Sequence, residues 1–125
     1  MNTPPKHYSG RFITLDGSEG TGKSTQIHQI EQWLKQHHLP YLLTREPGGS
    51  PLGEQLRTLL LTQTTPIDPL AELLLLLTAR RQHLTQIIWP ALIQGKWVIC
   101  DRFNDATYAY QGYGRQLDPP AYCPI

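Results

Sequence analysis

Short β-prone runs alternate along the chain with longer segments in which apolar residues recur at helical spacing. Three such runs occupy residues 12–15, 41–44 and 97–100, and a turn or a charged residue stops each of them. The runs carry no charged side chains, which is typical of strands that are covered on both faces. The order of strand, helix, strand, helices, strand and helix predicts an α/β fold with a mostly parallel sheet flanked by helices.

Helices are predicted after the first and the second strand. The first helix opens near Gly22 or Lys23 and ends before Pro40. A loop at 45–49 follows the second strand. Ser50, with a proline directly after it, then has the form of an N-cap with proline in the first helical turn.

A long leucine-rich helix is predicted before the third strand. Asp68 followed by proline repeats the capping signal, and apolar residues at helical spacing continue to Ile88. Pro90 lacks a backbone N–H, so we expect it to kink the helix or to end its regular part, and Gly95 closes the segment. A further helix through Thr107 is predicted after the third strand.

Composition and charge narrow the class of protein. The chain has 125 residues, of which 39% are hydrophobic and 17% charged, as expected for one folded domain. A net charge of +1 indicates no nucleic-acid or anionic-membrane partner. The longest apolar run, 73–77, is too short to span a bilayer, and residues 1–9 do not form a signal peptide. Two cysteines without disulfide or zinc spacing indicate a cytoplasmic protein, with Cys100 buried.

A glycine-rich segment between the first strand and the first helix carries the chemistry. It matches G-x-x-x-x-G-K-[S/T], whose backbone N–H groups cradle phosphates beside the positive end of a helix dipole. Lys23 adds a full charge at the β- and γ-phosphates, and Ser24 offers a hydroxyl to Mg²⁺. The predicted ATP site consists of Gly17, Ser18, Glu19, Gly20, Thr21, Gly22, Lys23 and Ser24.

Charged residues also stand where the second and third strands end. Arg45 follows the second strand, and Asp101 and Arg102 follow the third. Because the carboxyl ends of parallel strands meet at one edge of a sheet, we expect Asp101 beside the phosphate loop, near Mg²⁺, and both arginines facing one crevice. Guanidinium groups suit the negative charge of phosphoryl transfer. We expect the other basic side chains to be solvated surface charges: Lys6, Arg11, Lys35, Arg57, Lys96 and Arg115.

Several longer blocks occur in a fixed order over residues 11 to about 118. They are 16–26, Thr44-Arg45-Glu46-Pro47-Gly48-Gly49, 71–75 leading into Ala79-Arg80-Arg81-Gln82-His83, Pro90-Ala91-Leu92, 95–103 and Ala109-Tyr110-Gln111-Gly112. The first block occurs in many P-loop proteins, whereas the others are far more specific, and together they resemble thymidylate kinase of the bacterial type. The resemblance implies an incomplete nucleoside monophosphate kinase fold. It also implies transfer of the γ-phosphate of ATP to dTMP, giving dTDP and ADP for dTTP biosynthesis, with Mg²⁺ as cofactor.

The resemblance further implies roles for single residues. Lys23, Arg45, Asp101 and Arg102 match the residues that handle the phosphates, with Asp101 as the Mg²⁺-linked acid. Arg80 matches the arginine that bonds the thymine edge. The implied dTMP site consists of Glu19 at the sugar 3′-hydroxyl, Arg45, Leu76, Arg80, Arg102, Thr107, Tyr110 and Gln111.

The chain departs from the family at two positions and in its extent. Leu76 stands where an aromatic residue often stacks on thymine, and Gly20 stands where the eukaryotic type has an arginine. The family's lid, two further strands and adenine-contacting loop do not follow, so we expect a C-terminal truncation. We divide the chain into a flexible tail at 1–10, the N-terminal part of the kinase domain at 11–118 and an unrelated tail at 119–125.

Three hypotheses about function remain open. The chain is part of a dTMP kinase, or it binds phosphate or partners without turnover, or its acceptor is another nucleoside monophosphate. A motor or signalling NTPase fits less well, because no switch-type segment is apparent. For the 125-residue chain in isolation we expect weak or no activity, and from the resemblance we expect a homodimer.

Overall fold

The computed structural model describes residues 9–17 and 22–103. The elements within these ranges are β1 (Phe12–Gly17), α1 (Lys23–Gln36), β2 (Tyr41–Glu46), α2 (Pro51–Thr62), α3 (Pro69–His83), a π-helical turn (Leu84–Ile88), α4 (Trp89–Ile93) and β3 (Trp97–Phe103). The predicted α/β order is confirmed. Residues 1–8, 18–21 and 104–125, which include the predicted tail at 119–125 and the further helix predicted through Thr107, lie outside the described residues. No helix within the described ranges has both the length and the apolar character needed to cross a membrane.

The described strands form one parallel sheet in the order β1-β3-β2, as an α/β pattern predicts. Asp101 of β3 pairs with Leu15 on one side and Arg45 on the other. The next residue, Arg102, pairs with Asp16 and Glu46. Because successive side chains of a strand alternate between the two faces, Asp101 and Arg102 leave β3 on opposite faces of the sheet.

The two faces are covered by different helices. α1 lies over the face of Asp101, as the contact between Lys23 and Asp101 indicates. The π-helical turn and α4 cover the opposite face. Together with β3 they supply the buried residues of the described core, which are Ile88, Ala91, Leu92 and Val98. Three partly buried side chains pack against this core: Leu42, Leu84 and Trp89. Burying this apolar surface is the main force that holds the helices on the sheet.

Two expectations about the strands need correction. Arg45 and Glu46 are not part of a loop, because pairing with β3 extends β2 by two residues beyond the apolar run. Full coverage on both faces holds for the central part of β3, where Ile99 is completely buried. On the flanking strands Phe12 is 39% and Leu43 44% exposed, so the described residues cover the faces of these strands only in part.

The predicted helix caps are confirmed. The Ser50 hydroxyl accepts a hydrogen bond from the Gly53 N–H at 2.9 Å, and the Asp68 carboxylate accepts from two N–H groups at the start of α3. Pro90 neither ends the helical segment nor leaves it regular. The Trp89 N–H donates to Leu84 O across the wider π-helical turn just before the proline, and the helix then continues to Ile93.

Candidate phosphate-transfer site

The start of α1 has the geometry of an anion-binding site. Gly22 adopts φ 84°, a left-handed conformation that glycine takes without strain, and a Cβ there would meet no described atom within 4 Å. The first helical hydrogen bond runs from the Gln26 N–H to Gly22 O at 3.1 Å. The N–H groups of Lys23, Ser24 and Thr25 therefore have no acceptor within the helix, and they add to the positive end of the helix dipole.

Lys23 is buried at this helix terminus among oxygen atoms of the strand ends. Its ammonium lies 2.6 Å from Asp101 Oδ1, and it donates to Gly17 O at 2.6 Å and to Arg102 O at 3.0 Å. The lysine therefore bridges the ends of β1 and β3. The prediction that Asp101 lies beside the phosphate loop is confirmed, because parallel pairing brings both strand ends to the same edge.

The same edge offers oxygen ligands suited to Mg²⁺. The Asp101 side chain is 28% exposed, and Ser24 is exposed in the first turn of α1. A carboxylate and a hydroxyl are hard donors of the type that Mg²⁺ prefers, and partial exposure leaves room for the waters that this ion keeps. These two residues therefore fit the ion that the sequence predicts.

Arg45 is held by a carboxylate that the sequence analysis did not single out. Its Nη2 donates to Glu54 Oε1 at 2.5 Å and its Nε to Glu54 Oε2 at 3.3 Å, and the Gly49 N–H donates to Glu54 Oε2 at 2.8 Å. The bonds from Arg45 and then from Gly49 lower the pKa of Glu54 to about 2. Glu54 lies in the first turn of α2, and the turn between β2 and α2 brings it back to the end of β2. Local sequence therefore gives no signal for the pair.

An open cleft of about 400 Å³ lies on this face, between α1, α2 and the ends of β2 and β3. Its size is that of a small-ligand site. The described residues that line it are Ile27, Leu43, Thr44, Arg45, Gly49, Glu54 and Asp101. The structure thus brings Arg45 and Asp101 to one cleft. Arg102 is not among these lining residues. Its side chain leaves β3 on the face opposite Arg45 and Asp101 and lies 3.5 Å from Glu46, so the structure does not bring Arg45 and Arg102 to one crevice, contrary to the prediction from sequence.

On the other face, Glu46 is the centre of a buried ionic network. Glu46 Oε1 lies 3.1 Å from Arg80 Nε and 3.5 Å from Arg102 Nε, and Oε2 lies 3.0 Å from His83 Nδ1. Burial raises the pKa of Glu46, but the hydrogen bond from His83 and the charges of the two arginines outweigh burial, so the pKa lies below its ordinary value. Glu46 is therefore an anion shared by two residues of the predicted dTMP site.

His83 and Gly49 complete this network. The His83 side chain is completely buried, and its Nε2 lies 2.7 Å from the Thr44 hydroxyl oxygen. A proton on Nδ1 satisfies both contacts, because Nδ1–H donates to Glu46 while Nε2 accepts from Thr44. Gly49, at φ 86°, packs so closely that a Cβ would collide with His83 Nε2 and the Thr44 hydroxyl.

The sequence analysis assigned no role to Glu46, His83 or Thr44. A signal was available in the alternation along β2, because Thr44 and Glu46 share a face with the core residue Leu42. A charged residue on an inward face indicates a buried partner. Locating that partner on α3 requires the tertiary structure.

Glu46, His83 and Cys100 each place a potential ligand atom within 4.8 Å of the others. The surroundings oppose a cation, because Arg80 and Arg102 already neutralise the carboxylate. Burial, followed by the charge of Glu46, raises the pKa of the Cys100 thiol to about 12, so this sulfur is a protonated thiol at neutral pH. Its burial confirms the expectation from sequence.

Among the basic residues expected at the surface, Arg57 is buried, and its Nη1 donates to Pro47 O at 2.9 Å. Its guanidinium thereby satisfies a buried carbonyl. Leu76 is half-buried on α3, one turn before Arg80. The remaining predicted site residues lie outside the described residues, and their roles stay predictions: Ser18, Glu19, Gly20, Thr21, Thr107, Tyr110 and Gln111.

A parallel α/β sheet whose strand ends hold a lysine at the N-terminus of the following helix defines a P-loop nucleotide-binding protein. A family model described as thymidylate kinase matches residues 15–123 of the sequence. The chain therefore belongs to the thymidylate kinase family.

Individual relatives agree with this assignment. The chain is 55% identical over 109 residues to a thymidylate kinase of Alkalilimnicola ehrlichii, covering 86% of this chain and 50% of the relative. It is 56% identical over 110 residues to one of Teredinibacter turnerae, covering 87% and 54%. A crystal structure of thymidylate kinase from Ehrlichia chaffeensis matches with a TM-score of 0.72 and 45% identity, covering 90% of this chain and 65% of that one. The chain spans about half the length of these curated relatives.

Proposed function

We propose that this protein transfers the γ-phosphate of ATP to dTMP, giving dTDP and ADP. The observation that carries the proposal is the Lys23 ammonium, held 2.6 Å from Asp101 at the strand ends and beside the N-terminus of α1. This arrangement suits a triphosphate. Membership of the thymidylate kinase family supports dTMP as the acceptor.

On the donor side, Lys23 and the N–H groups at the start of α1 bind the β- and γ-phosphates of ATP. The incoming phosphate oxygens replace protein oxygens that now surround the ammonium. Ser24 and Asp101 would hold Mg²⁺, which supplies neutralisation of the charge that the phosphates carry. In this proposal Ser18, Glu19, Gly20 and Thr21 contribute the rest of the ATP site.

On the acceptor side, Arg45 and Arg102 orient the dTMP phosphate for in-line attack, and Arg80 bonds the thymine edge while Leu76 packs on the ring. No general base is needed, because the acceptor phosphate is already ionised. Positioning and charge neutralisation then supply most of the catalysis. Removing one such contact is expected to lower turnover roughly 10²–10³-fold. Glu19, Thr107, Tyr110 and Gln111 complete the proposed dTMP site.

The proposal is tested with the 125-residue chain by ligand titration and by a coupled assay for ADP. We expect heat of binding with ATP-Mg²⁺ and with dTMP, and any ADP formation to depend on dTMP and to disappear in Lys23→Ala. Lys35→Ala, an exposed lysine in the last turn of the same helix, is the control and should behave like the wild type. Absence of dTMP binding, or ADP formation that ignores dTMP, would contradict the proposal.

The open alternatives give different results in the same experiments. A chain that binds both ligands but forms no ADP is a binding protein without turnover, and its span of about half the relatives' length is the observation that favours this candidate. A chain that binds dGMP, dCMP or dUMP better than dTMP has another acceptor. Competition among these four nucleotides therefore decides whether dTMP or another nucleoside monophosphate is the preferred acceptor.

We also propose a cytoplasmic homodimer, with no nucleic-acid or membrane partner. The family resemblance supports the dimer. The near-neutral charge and the lack of a disulfide framework in the sequence support the rest. Sedimentation analysis at several protein concentrations tests the dimer, and a monomer at all concentrations would contradict it.

A further inference from the structure

Two arginines from different elements converge on one buried oxygen. Arg80 lies on α3 and Arg102 at the end of β3, yet the Nε atoms of both face Glu46 Oε1, at 3.1 and 3.5 Å. The Glu46 side chain is only 8% exposed, whereas the two arginine side chains are 25% and 27% exposed. The carboxylate is therefore shielded from solvent, while each guanidinium still reaches the accessible side of the network.

The carboxylate itself is held in place by His83 and, through it, by Thr44. His83 Nδ1 contacts Oε2 at 3.0 Å, which leaves Oε1 to the arginines, and the Thr44 hydroxyl fixes the other edge of the imidazole at 2.7 Å. Gly49 packs against this imidazole with no space for a Cβ. A side chain with both oxygens engaged and a blocked neighbour has one available orientation, so its hold on the arginines is rigid.

We infer that Glu46 is a positioning residue that anchors Arg80 and Arg102 together, and that the buried His83–Thr44 pair holds this anchor. The inference rests on the proposed function, in which Arg80 contacts the thymine edge and Arg102 the phosphate of dTMP. One buried carboxylate then sets the spacing between the base contact and the phosphate contact. The distance between the two guanidiniums thus selects an acceptor whose base and phosphate are separated as in dTMP.

Charge explains why this anchor is needed. The positively charged guanidinium groups of Arg80 and Arg102 repel each other, and the Glu46 carboxylate between them offsets this repulsion. The hydrogen bond from Arg80 Nε fixes the plane of that guanidinium and hence the direction of its terminal N–H donors, whereas Arg102 Nε, buried at 3.5 Å and without a hydrogen bond among the described residues, is held by charge. Without the anion, both side chains take up many rotamers, and dTMP binding must restore their order. The expected defect therefore concerns the acceptor and not ATP.

Binding measurements with Glu46→Gln test this split. The amide keeps the shape of the side chain but removes the charge, and we expect dTMP affinity to fall roughly 10- to 100-fold with ATP-Mg²⁺ affinity unchanged. Glu31→Gln is the matched control, because Glu31 accepts a hydrogen bond from Tyr41 at 2.9 Å away from the network. Equal losses for both nucleotides would indicate a structural role only and would overturn the inference.

The arginine Nε–H signals of the ¹⁵N-labelled chain provide a test that needs no nucleotide. In the wild type we expect the Arg80 and Arg102 signals to exchange slowly with water, unlike that of the exposed Arg11. In Glu46→Gln both should approach the Arg11 signal. Signals that stay unchanged would overturn the anchoring, whether or not dTMP binds.

Three further variants keep the outcome clear if Glu46→Gln does not fold. Glu46→Asp keeps the charge but withdraws the carboxylate by one methylene, so both Nε–H signals should still lose protection. His83→Asn retains an N–H donor close to the place of Nδ1 and should restore dTMP affinity that His83→Leu loses. Equal dTMP affinity in the two His83 variants would contradict the role of the imidazole. A wild-type chain that binds ATP but not dTMP would instead contradict the proposed acceptor.

Discussion

Arg45 and Glu46 are neighbours in β2, yet their ion pairs lie on opposite faces of the sheet and in different environments. Arg45 meets Glu54 at 2.5 Å, with side chains that are 47% and 41% exposed. Glu46 meets Arg80 at 3.1 Å, with side chains that are 8% and 25% exposed. The shorter pair is the one that water screens, so distance alone is a poor guide to the free energy of an ion pair. Burial decides which of the two organises the fold.

The largest expected effect is the loss of the buried anion. Glu46→Ala leaves two arginines and a histidine around an empty position, and we expect the free energy of unfolding to fall by about 3–5 kcal/mol. Urea unfolding followed by circular dichroism measures this change. Glu31→Ala removes a hydrogen bond from the Tyr41 hydroxyl and should cost about 0.5–1.5 kcal/mol. Similar losses in the two variants would remove the distinction between the buried network and an ordinary contact.

A smaller effect is expected from two glycines with nearly the same backbone conformation. Gly49 has φ 86° and Gly22 φ 84°, so alanine introduces about 1–2 kcal/mol of left-handed strain at either position. At Gly49 the new Cβ also collides with His83 and Thr44, whereas at Gly22 it meets none of the described atoms within 4 Å. We therefore expect Gly49→Ala to destabilise the chain by roughly 1–3 kcal/mol more than Gly22→Ala. Equal urea midpoints for the two variants would show that the imidazole is not packed as described.

The smallest effect is expected at the exposed pair. Glu54→Gln should change the free energy of unfolding by about 1 kcal/mol or less, and about 1 M NaCl should reduce even that difference. The pKa of Glu54 is lowered from 4.5 to about 2, so its stabilising contribution is fully present above pH 4.5 and is lost as the pH falls towards 2. Urea titrations of both chains across this range test the sign. A difference that grows as the pH falls would contradict the pairing with Arg45.

Much of the fold follows from local sequence. The strands and the two capped helices depend on short apolar runs and on capping residues, which act over a few residues. The position of Asp101 beside Lys23 is not local, but it follows from the rule that parallel strands end at one edge of a sheet. The end of β2 was missed because its last two residues are charged. Their pairing with β3, and not their propensity, keeps them in the strand.

The ionic contacts could not be obtained in the same way. Arg80 and His83 are 34 and 37 positions from Glu46, and they reach it only because α3 packs against the face on which Glu46 lies. Arg57 was expected in solvent for the same reason, since its acceptor is a carbonyl in a turn that the sequence does not place beneath α2. Such contacts depend on the tertiary structure, and no local sequence pattern around these residues indicates their partners.

The central claim is that Lys23 and the start of α1 bind the phosphates of ATP. Calorimetric titration of ATP-Mg²⁺ into the wild type, Lys23→Ala and the exposed-lysine control Lys35→Ala tests it most directly. We expect measurable binding by the wild type and the control, and affinity lowered roughly 10- to 100-fold in Lys23→Ala. No heat with the wild type, or equal affinity in all three chains, would contradict the account.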